Sequence, residues 1–262
     1  MPYATIHGRS LFYALHQEGE PGHPPLMLVH GAGGSHLHWP AQLRRLPGRT
    51  VYALDLPGHG RSEGEGERSI ASYAEVLEAL LDALALPQAV IGGHSMGGAI
   101  ALHLALTRPE RVAGLVLIGT GARLRVLPAI LEGIQTDFLA TVDLITRMAW
   151  SPDAPKPLVQ RGGEITAQTP PTVLLGDFTA CNAFDVMDRL DQIQAPTLVV
   201  GGTADRLTPL KYARYLEAHI PNARLVTIEG GGHMMMLEQP QAVAQAVADF
   251  LAGLDAGELA PS

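Results

Sequence analysis

Ala89-Val90-Ile91-Gly92-Gly93-His94-Ser95-Met96-Gly97-Gly98-Ala99 is the stretch on which the reading of this chain turns. Val90 and Ile91, followed by glycine, read as the end of a buried strand. Ala99-Ile100-Ala101-Leu102-His103-Leu104-Ala105-Leu106 reads as a helix, because small and straight-chain residues dominate it. Between them, Gly93-His94-Ser95-Met96-Gly97 matches G-x-S-x-G, the pattern of a serine held at a sharp strand-to-helix turn. Such a reversal needs a strained backbone, and bulk beside it would keep strand and helix apart, so the glycines have a physical reason. The serine oxygen then projects outward, with helix N–H groups behind it directed at developing negative charge. In a chain with 29 glycines the same letters also describe a plain tight turn. The neighbouring segments have to decide.

Working outward, composition narrows the class. The chain has 262 residues, 47% hydrophobic and 17% charged, which describes a globular protein with a sizeable core. A net charge of −8 with no offsetting basic face argues against a nucleic-acid partner. The single cysteine, Cys181, excludes an internal disulfide and a cysteine metal cluster, and reads as a small buried hydrophobe. The 11 histidines show no H-E-x-x-H grouping, so neither a metal nor another cofactor is expected. The N-terminal residues lack an apolar signal core and no run is long enough to span a membrane, which predicts a cytoplasmic protein with no membrane partner.

Upstream of the elbow, residues 3–16 alternate weakly around His7-Gly8-Arg9-Ser10, predicting a hairpin at a sheet edge. Pro21-Gly22-His23-Pro24-Pro25 is a loop. Leu26-Met27-Leu28-Val29 is a strand buried on both faces, running into His30-Gly31-Ala32-Gly33-Gly34. A helix is expected over 39–46, a strand over 50–55, a surface loop over 63–67, and a helix over 69–86 with Ser69 or Ser72 as its cap. Downstream, 114–119 is another buried strand. Then the alternation breaks. Residues 120–190 hold helix-period stripes, including Leu127, Ile130, Ile134, Leu139, Val142 and Ile145, punctuated by prolines, with 172–175 too isolated to count as a strand. The rhythm resumes with a strand at 197–202, a helix over 209–219, a buried strand at 224–228 and a helix over 240–252. Residues 253–262 read as a fraying tail.

Parallel strands gather functional groups at their carboxyl edge. After the 197–202 strand comes Thr203-Ala204-Asp205-Arg206-Leu207-Thr208-Pro209, and after the 224–228 strand comes Glu229-Gly230-Gly231-Gly232-His233. With Ser95 this sets Ser, Asp and His in loops beyond three strands, in the chain order of a known triad. The segment His30-Gly31-Ala32-Gly33-Gly34 and the turn Asp55-Leu56-Pro57-Gly58-His59-Gly60-Arg61-Ser62 complete the pattern. On these residues, spread over about 26 to 250, the chain resembles the α/β-hydrolase superfamily, of the serine carboxylesterase type with a helical cap. The resemblance implies an α/β fold with a mostly parallel eight-stranded sheet and helices on both faces. Residues 1–119 and 191–262 would form the core and 120–190 the cap insertion.

The resemblance also implies roles. Ser95 is the nucleophile, His233 the base and later the acid, Asp205 the residue that orients the imidazole, and the backbone N–H groups of Ala32 and Met96 form the oxyanion hole. Asp55 also follows a strand, but in this family its turn is structural. His30, His59 and His94 are expected to pack and hydrogen-bond, Arg61 to brace a loop, and the 234–236 methionines to pack under the last helix, one of them reaching the pocket. The partner is then a small-molecule ester with short-to-medium acyl chains. The same triad also serves lactones, monoacylglycerols, aminoacyl-prolines and the carbon–carbon bond of ring-cleavage products. The last is disfavoured, because those enzymes carry Gly-Ser-Gly-Pro-Gly where this chain has Gly31-Ala32-Gly33-Gly34-Ser35. Aspartate-nucleophile dehalogenases and epoxide hydrolases are excluded by Ser95, and a low-turnover ligand receptor is the alternative from another class. Arg123, Arg125 and Arg147 are placed on the outer surface of the insertion, leaving an apolar roof.

Overall fold

The computed structural model describes residues 2–17, 19 and 22–258. The chain enters as a hairpin, β1 (Tyr3–Ile6) and β2 (Arg9–His16), turned at His7 and Gly8, which both adopt positive φ (49° and 76°). That pair of left-handed residues is the twist-matched two-residue turn, and Gly8 adopts it without strain. Then come β3 (Leu26–Val29), α1 (Ala41–Arg44), β4 (Val51–Leu54), α2 (Ile70–Ala83), β5 (Ala89–His94), α3 (Met96–Thr107) and β6 (Val112–Ile118). After four helices, α4 (Pro128–Thr136), α5 (Phe138–Ala149), α6 (Lys156–Gln168) and α7 (Pro171–Ala183), the chain returns as β7 (Thr197–Gly202). It ends with α8 (Leu210–His219), β8 (Ala223–Ile228), α9 (Met235–Glu238) and α10 (Pro240–Asp255).

The eight strands form one sheet in the order β1-β2-β4-β3-β5-β6-β7-β8, antiparallel at β1-β2 and β2-β4 and parallel from β4 to β8. Strand order reverses between β4, β3 and β5, the place where open parallel sheets leave a crevice at their carboxyl edge. Alternate residues feed two cores. Met27, Val29, Ile91, Leu115 and Leu117 pack on the side of α2, α3 and α8, while Leu26, Leu28, Val90, Val116 and Ile118 pack on the side of α1 and α10. The insertion has a small core of its own, Ile130, Ile134, Val142, Ile145 and Leu174. Here the expected stripe is half right, since Leu127 and Leu139 are exposed instead.

Three expectations need correction. The helix over 39–46 shrinks to 41–44, because Pro40 and Pro47 bracket it and a 3₁₀ turn, His36–His38, precedes it. β8 is an edge strand, mostly half-buried rather than buried, its Arg224 guanidinium lying 5.2 Å over the Phe250 ring. Thr172-Val173-Leu174-Leu175 is no strand, as expected, and belongs to helix α7. The last helix continues to Asp255, whose carboxylate pairs with Arg49, so 253–255 is anchored rather than frayed. The remainder of that tail beyond Glu258, and Pro21 of the expected 21–25 loop, lie outside the described residues.

The elbow is packed backbone to backbone. A Cβ on Gly97 would lie 2.1 Å from Val29 O and one on Gly93 would lie 2.2 Å from Gly97 O. The Val29 carbonyl cannot yield, because β3 is hydrogen-bonded to β5 in the centre of the sheet. Gly97→Ala is therefore expected to destabilise by about 3 kcal/mol, the upper end for overpacking a tight interior. Chemical unfolding midpoints check this; a midpoint equal to wild type would mean that α3 can lift from β3.

Candidate active site

Ser95 occupies the tip of the elbow between β5 and α3, at φ +52° and ψ −115°, a conformation that costs a non-glycine residue of order 1–3 kcal/mol. Its backbone is clamped at both ends. Ser95 N donates to Ile118 O (3.0 Å), and Thr120 Oγ1 donates to Ser95 O (2.7 Å). The strain is thus held by the neighbouring strand and presents the side chain at the sheet edge.

Asp205 follows β7 and is buried with every lone-pair direction engaged. Its Oδ1 accepts from Leu207 N and Thr208 N (both 2.9 Å), and its Oδ2 from Thr208 Oγ1 (2.8 Å) and His233 Nδ1 (2.9 Å). Burial works against the charged form, but the adjacent His233 ring, its hydrogen bond and the Thr208 donors outweigh it and hold the Asp205 carboxyl below the usual carboxylate range. An anion fixed on Nδ1 leaves Nε2 as the free nitrogen of His233. His233 itself is set by backbone contacts. His94 Nε2 donates to His233 O (3.0 Å), Met234 N donates to Ala149 O (3.1 Å), and Gly232 N donates to a Glu238 carboxylate oxygen (3.1 Å).

The structure brings Ser95, Ala32 and His233 to one cavity of about 60 Å³. Among the described residues Ser95 and His233 meet through its wall rather than through a direct hydrogen bond. Asp205 stands behind His233, and Met96 is fully buried as the first residue of α3. No acceptor among the described residues takes the backbone N–H of Ala32 or of Met96. The rest of the lining comes mainly from the helical insertion: Ile145, Ala149, Trp150, Leu174 and Phe178. Thr146 and Thr166 also line it, but their hydroxyls donate to Val142 O (2.8 Å) and Gly162 O (3.1 Å) of their own helices. The wall is apolar in effect. Met234 reaches the cavity while Met235 and Met236 are buried, and Arg123, Arg125 and Arg147 lie on the outer face, Arg123 paired with Asp185 and Arg147 with Asp143.

The other residues singled out are structural in place. Asp55 accepts from His36 N (2.6 Å), His36 Nδ1 (2.9 Å) and Arg61 N (3.0 Å), which closes the 55–62 turn. Arg61 braces it with its guanidinium 4.8 Å over the Phe12 ring. His30 Nε2 accepts from Leu56 N (3.0 Å), and burial pushes its pKa well down, as it does for His94. Cys181 is a buried free thiol, its pKa raised by burial.

Three residues were missed. His38 lines the cavity, with burial pushing its pKa to about 4, so it is a neutral wall residue. Arg206 donates to Trp150 O (3.3 Å), tying the Asp205 loop to the insertion. Asp177 of α7 is fully buried and bonds to three core segments. An acid inside the apolar run of α7 is the one sequence signal that points to it, because a carboxylate there needs buried donors.

Comparison with known proteins identifies the family by its fold. The sequence profile of the family described as alpha/beta hydrolase fold matches residues 24–240. A protein of Azorhizobium caulinodans named "Putative carbamate hydrolase RutD" is 30% identical over 270 residues, covering 97% of this chain and all of that protein. The pimeloyl-[acyl-carrier protein] methyl ester esterase of Neisseria meningitidis is 29% identical over 87% of this chain and 93% of its own length. Among solved structures, a thermophilic esterase superposes with a TM-score of 0.86 at 34% identity, covering 96% of this chain and 97% of that one. The enol-lactonase of Burkholderia xenovorans superposes with 0.88 at 25%, covering 96% and 100%.

Proposed function

Because this chain belongs to the family defined by the alpha/beta hydrolase fold, we propose that it is a serine carboxylesterase working through an acyl-enzyme on short-to-medium acyl esters. Hydrolysis of ester-like compounds is common ground with its relatives, whose names span a methyl ester, an enol-lactone and a carbamate. In this reading Ser95 Oγ attacks the substrate carbonyl while His233 Nε2 takes its proton. The carbonyl oxygen becomes an oxyanion held by the Ala32 and Met96 amides. His233 returns the proton to the departing alcohol, and a water activated by the same nitrogen then releases the acid and regenerates Ser95. Segment 120–190 acts as the cap over this chemistry, and we place the enzyme in the cytoplasm. Among the described residues no helix is long and apolar enough to cross a membrane.

The observation that carries the reading is the Asp205–His233 bond of 2.9 Å standing beside a cavity that Ser95 and Ala32 share with His233. The same cavity sets the substrate. About 60 Å³ is far below the ~300 Å³ or more of a typical ligand pocket. Each methylene buried against Ile145, Leu174 and Phe178 adds about 0.8 kcal/mol until the space is full. On a homologous series of nitrophenyl esters, kcat/KM is expected to rise over the first few acyl carbons, about fourfold per methylene, and then fall. Repeated release of nitrophenol distinguishes this enzyme from a receptor that acylates once. Specificity climbing steadily to long chains would overturn the esterase reading, and so would a preference for acids over neutral esters.

A further inference from the structure

We propose that Asp177, carried by the helical insertion, is a positioning residue for the oxyanion hole: it holds the Ala32–Gly33 peptide so that the Ala32 amide faces the reacting oxygen. This rests on the serine-hydrolase reading above. Gly33 N donates to Asp177 Oδ2 at 2.8 Å, and on the other side of the residue Gly33 O accepts from Thr169 Oγ1 at 3.2 Å. Both grips come from the insertion, Asp177 from α7 and Thr169 from the turn that precedes it. Gly33 sits at φ +62°, and a Cβ there would lie 2.6 Å from Leu174 Cδ1, also of α7. The loop is therefore pressed against the insertion by shape as well as by hydrogen bonds. Because the Ala32–Gly33 peptide is planar, fixing its N–H fixes the carbonyl side of Ala32.

The anchor itself cannot drift. Asp177 has no exposed surface; its Oδ2 also accepts from His59 Nε2 (2.8 Å) and its Oδ1 from Tyr73 OH (2.5 Å). His59 in turn donates from Nδ1 to Pro57 O (2.9 Å), and Tyr73 OH accepts from Glu67 N (3.0 Å). Burial opposes charge on His59, but the Asp177 carboxylate overcomes it and raises the imidazole above its ordinary value. Two bonds to His59 and Tyr73 already satisfy the needs of a tie between insertion and core. The third goes to the amide next to the Ala32 donor, at a carboxylate rigid enough to set it. A donor aimed at a developing oxyanion is worth on the order of 10²–10³ in kcat, and a displacement near 1 Å forfeits much of that.

The test measures kcat, KM and the affinity for a short-chain trifluoromethyl ketone in the full-length protein. Ser95 Oγ adds to the ketone carbon, its proton passes to His233, and the former carbonyl oxygen carries the negative charge, so the probe reads the oxyanion site directly. Asp177→Asn is expected to lower kcat by about 10–100-fold with KM within about threefold, and to weaken ketone binding by a similar factor. Thr169→Val, which loosens the second grip and disturbs no ion pair, is expected to lower both about 3–10-fold and carries the test if Asp177→Asn does not fold. Tyr73→Phe frees only Oδ1, while Gly33 N and His59 Nε2 still hold Oδ2; it is expected to lower the unfolding temperature while kcat stays within about threefold. Folded Asp177→Asn or Thr169→Val with wild-type kcat and ketone affinity overturns the proposal. So does a loss confined to KM, or a Tyr73→Phe loss equal to that of Asp177→Asn. Wild-type protein that neither turns over esters nor binds the ketone overturns the serine reading itself, a different result from any of these.

Discussion

Ser95→Ala is expected to abolish turnover of an activated short-chain ester, with kcat down by on the order of 10⁵–10⁶, while the protein stays folded. The two halves of that expectation have separate causes. The nucleophile supplies the covalent route, so no neighbouring group substitutes for it. What remains is the residual catalysis of an oxyanion hole and a binding cavity, well above the uncatalysed rate. The strained turn, by contrast, is held by the Ile118 and Thr120 contacts to the Ser95 backbone and by the glycine packing beneath it, none of which uses Oγ. Thermal unfolding should therefore shift by no more than a surface substitution does, about 0.5 kcal/mol. Retention of more than a few percent of wild-type kcat would remove Ser95 from the mechanism.

The second large effect separates two acids that look alike in sequence. Asp205→Asn is expected to lower kcat by on the order of 10⁴, because an amide at Oδ2 favours the wrong histidine tautomer. Asp55→Asn is expected to leave kcat within about tenfold and to cost about 1–3 kcal/mol of stability, since it takes acceptors from His36 and Arg61 in a buried turn. The pH profile adds a sign. An imidazole base works only when neutral, so kcat/KM rises with pH to a plateau. Asp205 is held below the ordinary carboxylate range, so it is already ionised where that rise occurs and adds no limb of its own. The residual activity of Asp205→Asn is read across the same pH range as wild type. Stopped-flow or overnight assays with residual activity read both parameters. The reverse pattern, with Asp55→Asn inactive and Asp205→Asn active, would transfer the acid role to Asp55.

Much of this was legible because buried parallel strands are short apolar runs and their chemistry sits just past the carboxyl ends. Leu26-Met27-Leu28-Val29 became β3 residue for residue, and Ser95, Asp205 and His233 each follow a strand as expected. Ser69 caps α2 by accepting from Ser72 N at 3.0 Å. What the sequence hid was long-range. The Asp177 partners Gly33, Tyr73 and His59 lie more than 100 residues away, so the apolar run around it marks a buried carboxylate but names none of its donors. The same holds for Asp255, kept helical by Arg49, whereas Met235 and Met236 pack beneath α10 as expected. β8 misled because Leu225, Val226 and Ile228 are as apolar as a central strand, and edge position depends on sheet order rather than composition.

The insertion keeps a small core of its own beside the two that flank the sheet, to which it also lends Ala149, Trp150, Ala180 and Cys181. For a lineage, that core lets residues outside the overlap vary with little effect on the sheet. A change at Ile145 or Phe178 alters what the cavity admits without reaching the glycines that pose Ser95, so diet can drift under an unchanged reaction. The freedom has a border where α7 reaches across to Gly33. Descendants that exchange the whole insertion must bring a carboxylate back to that spot or evolve another brace for the loop, whereas those that repaint its inner wall inherit the brace intact.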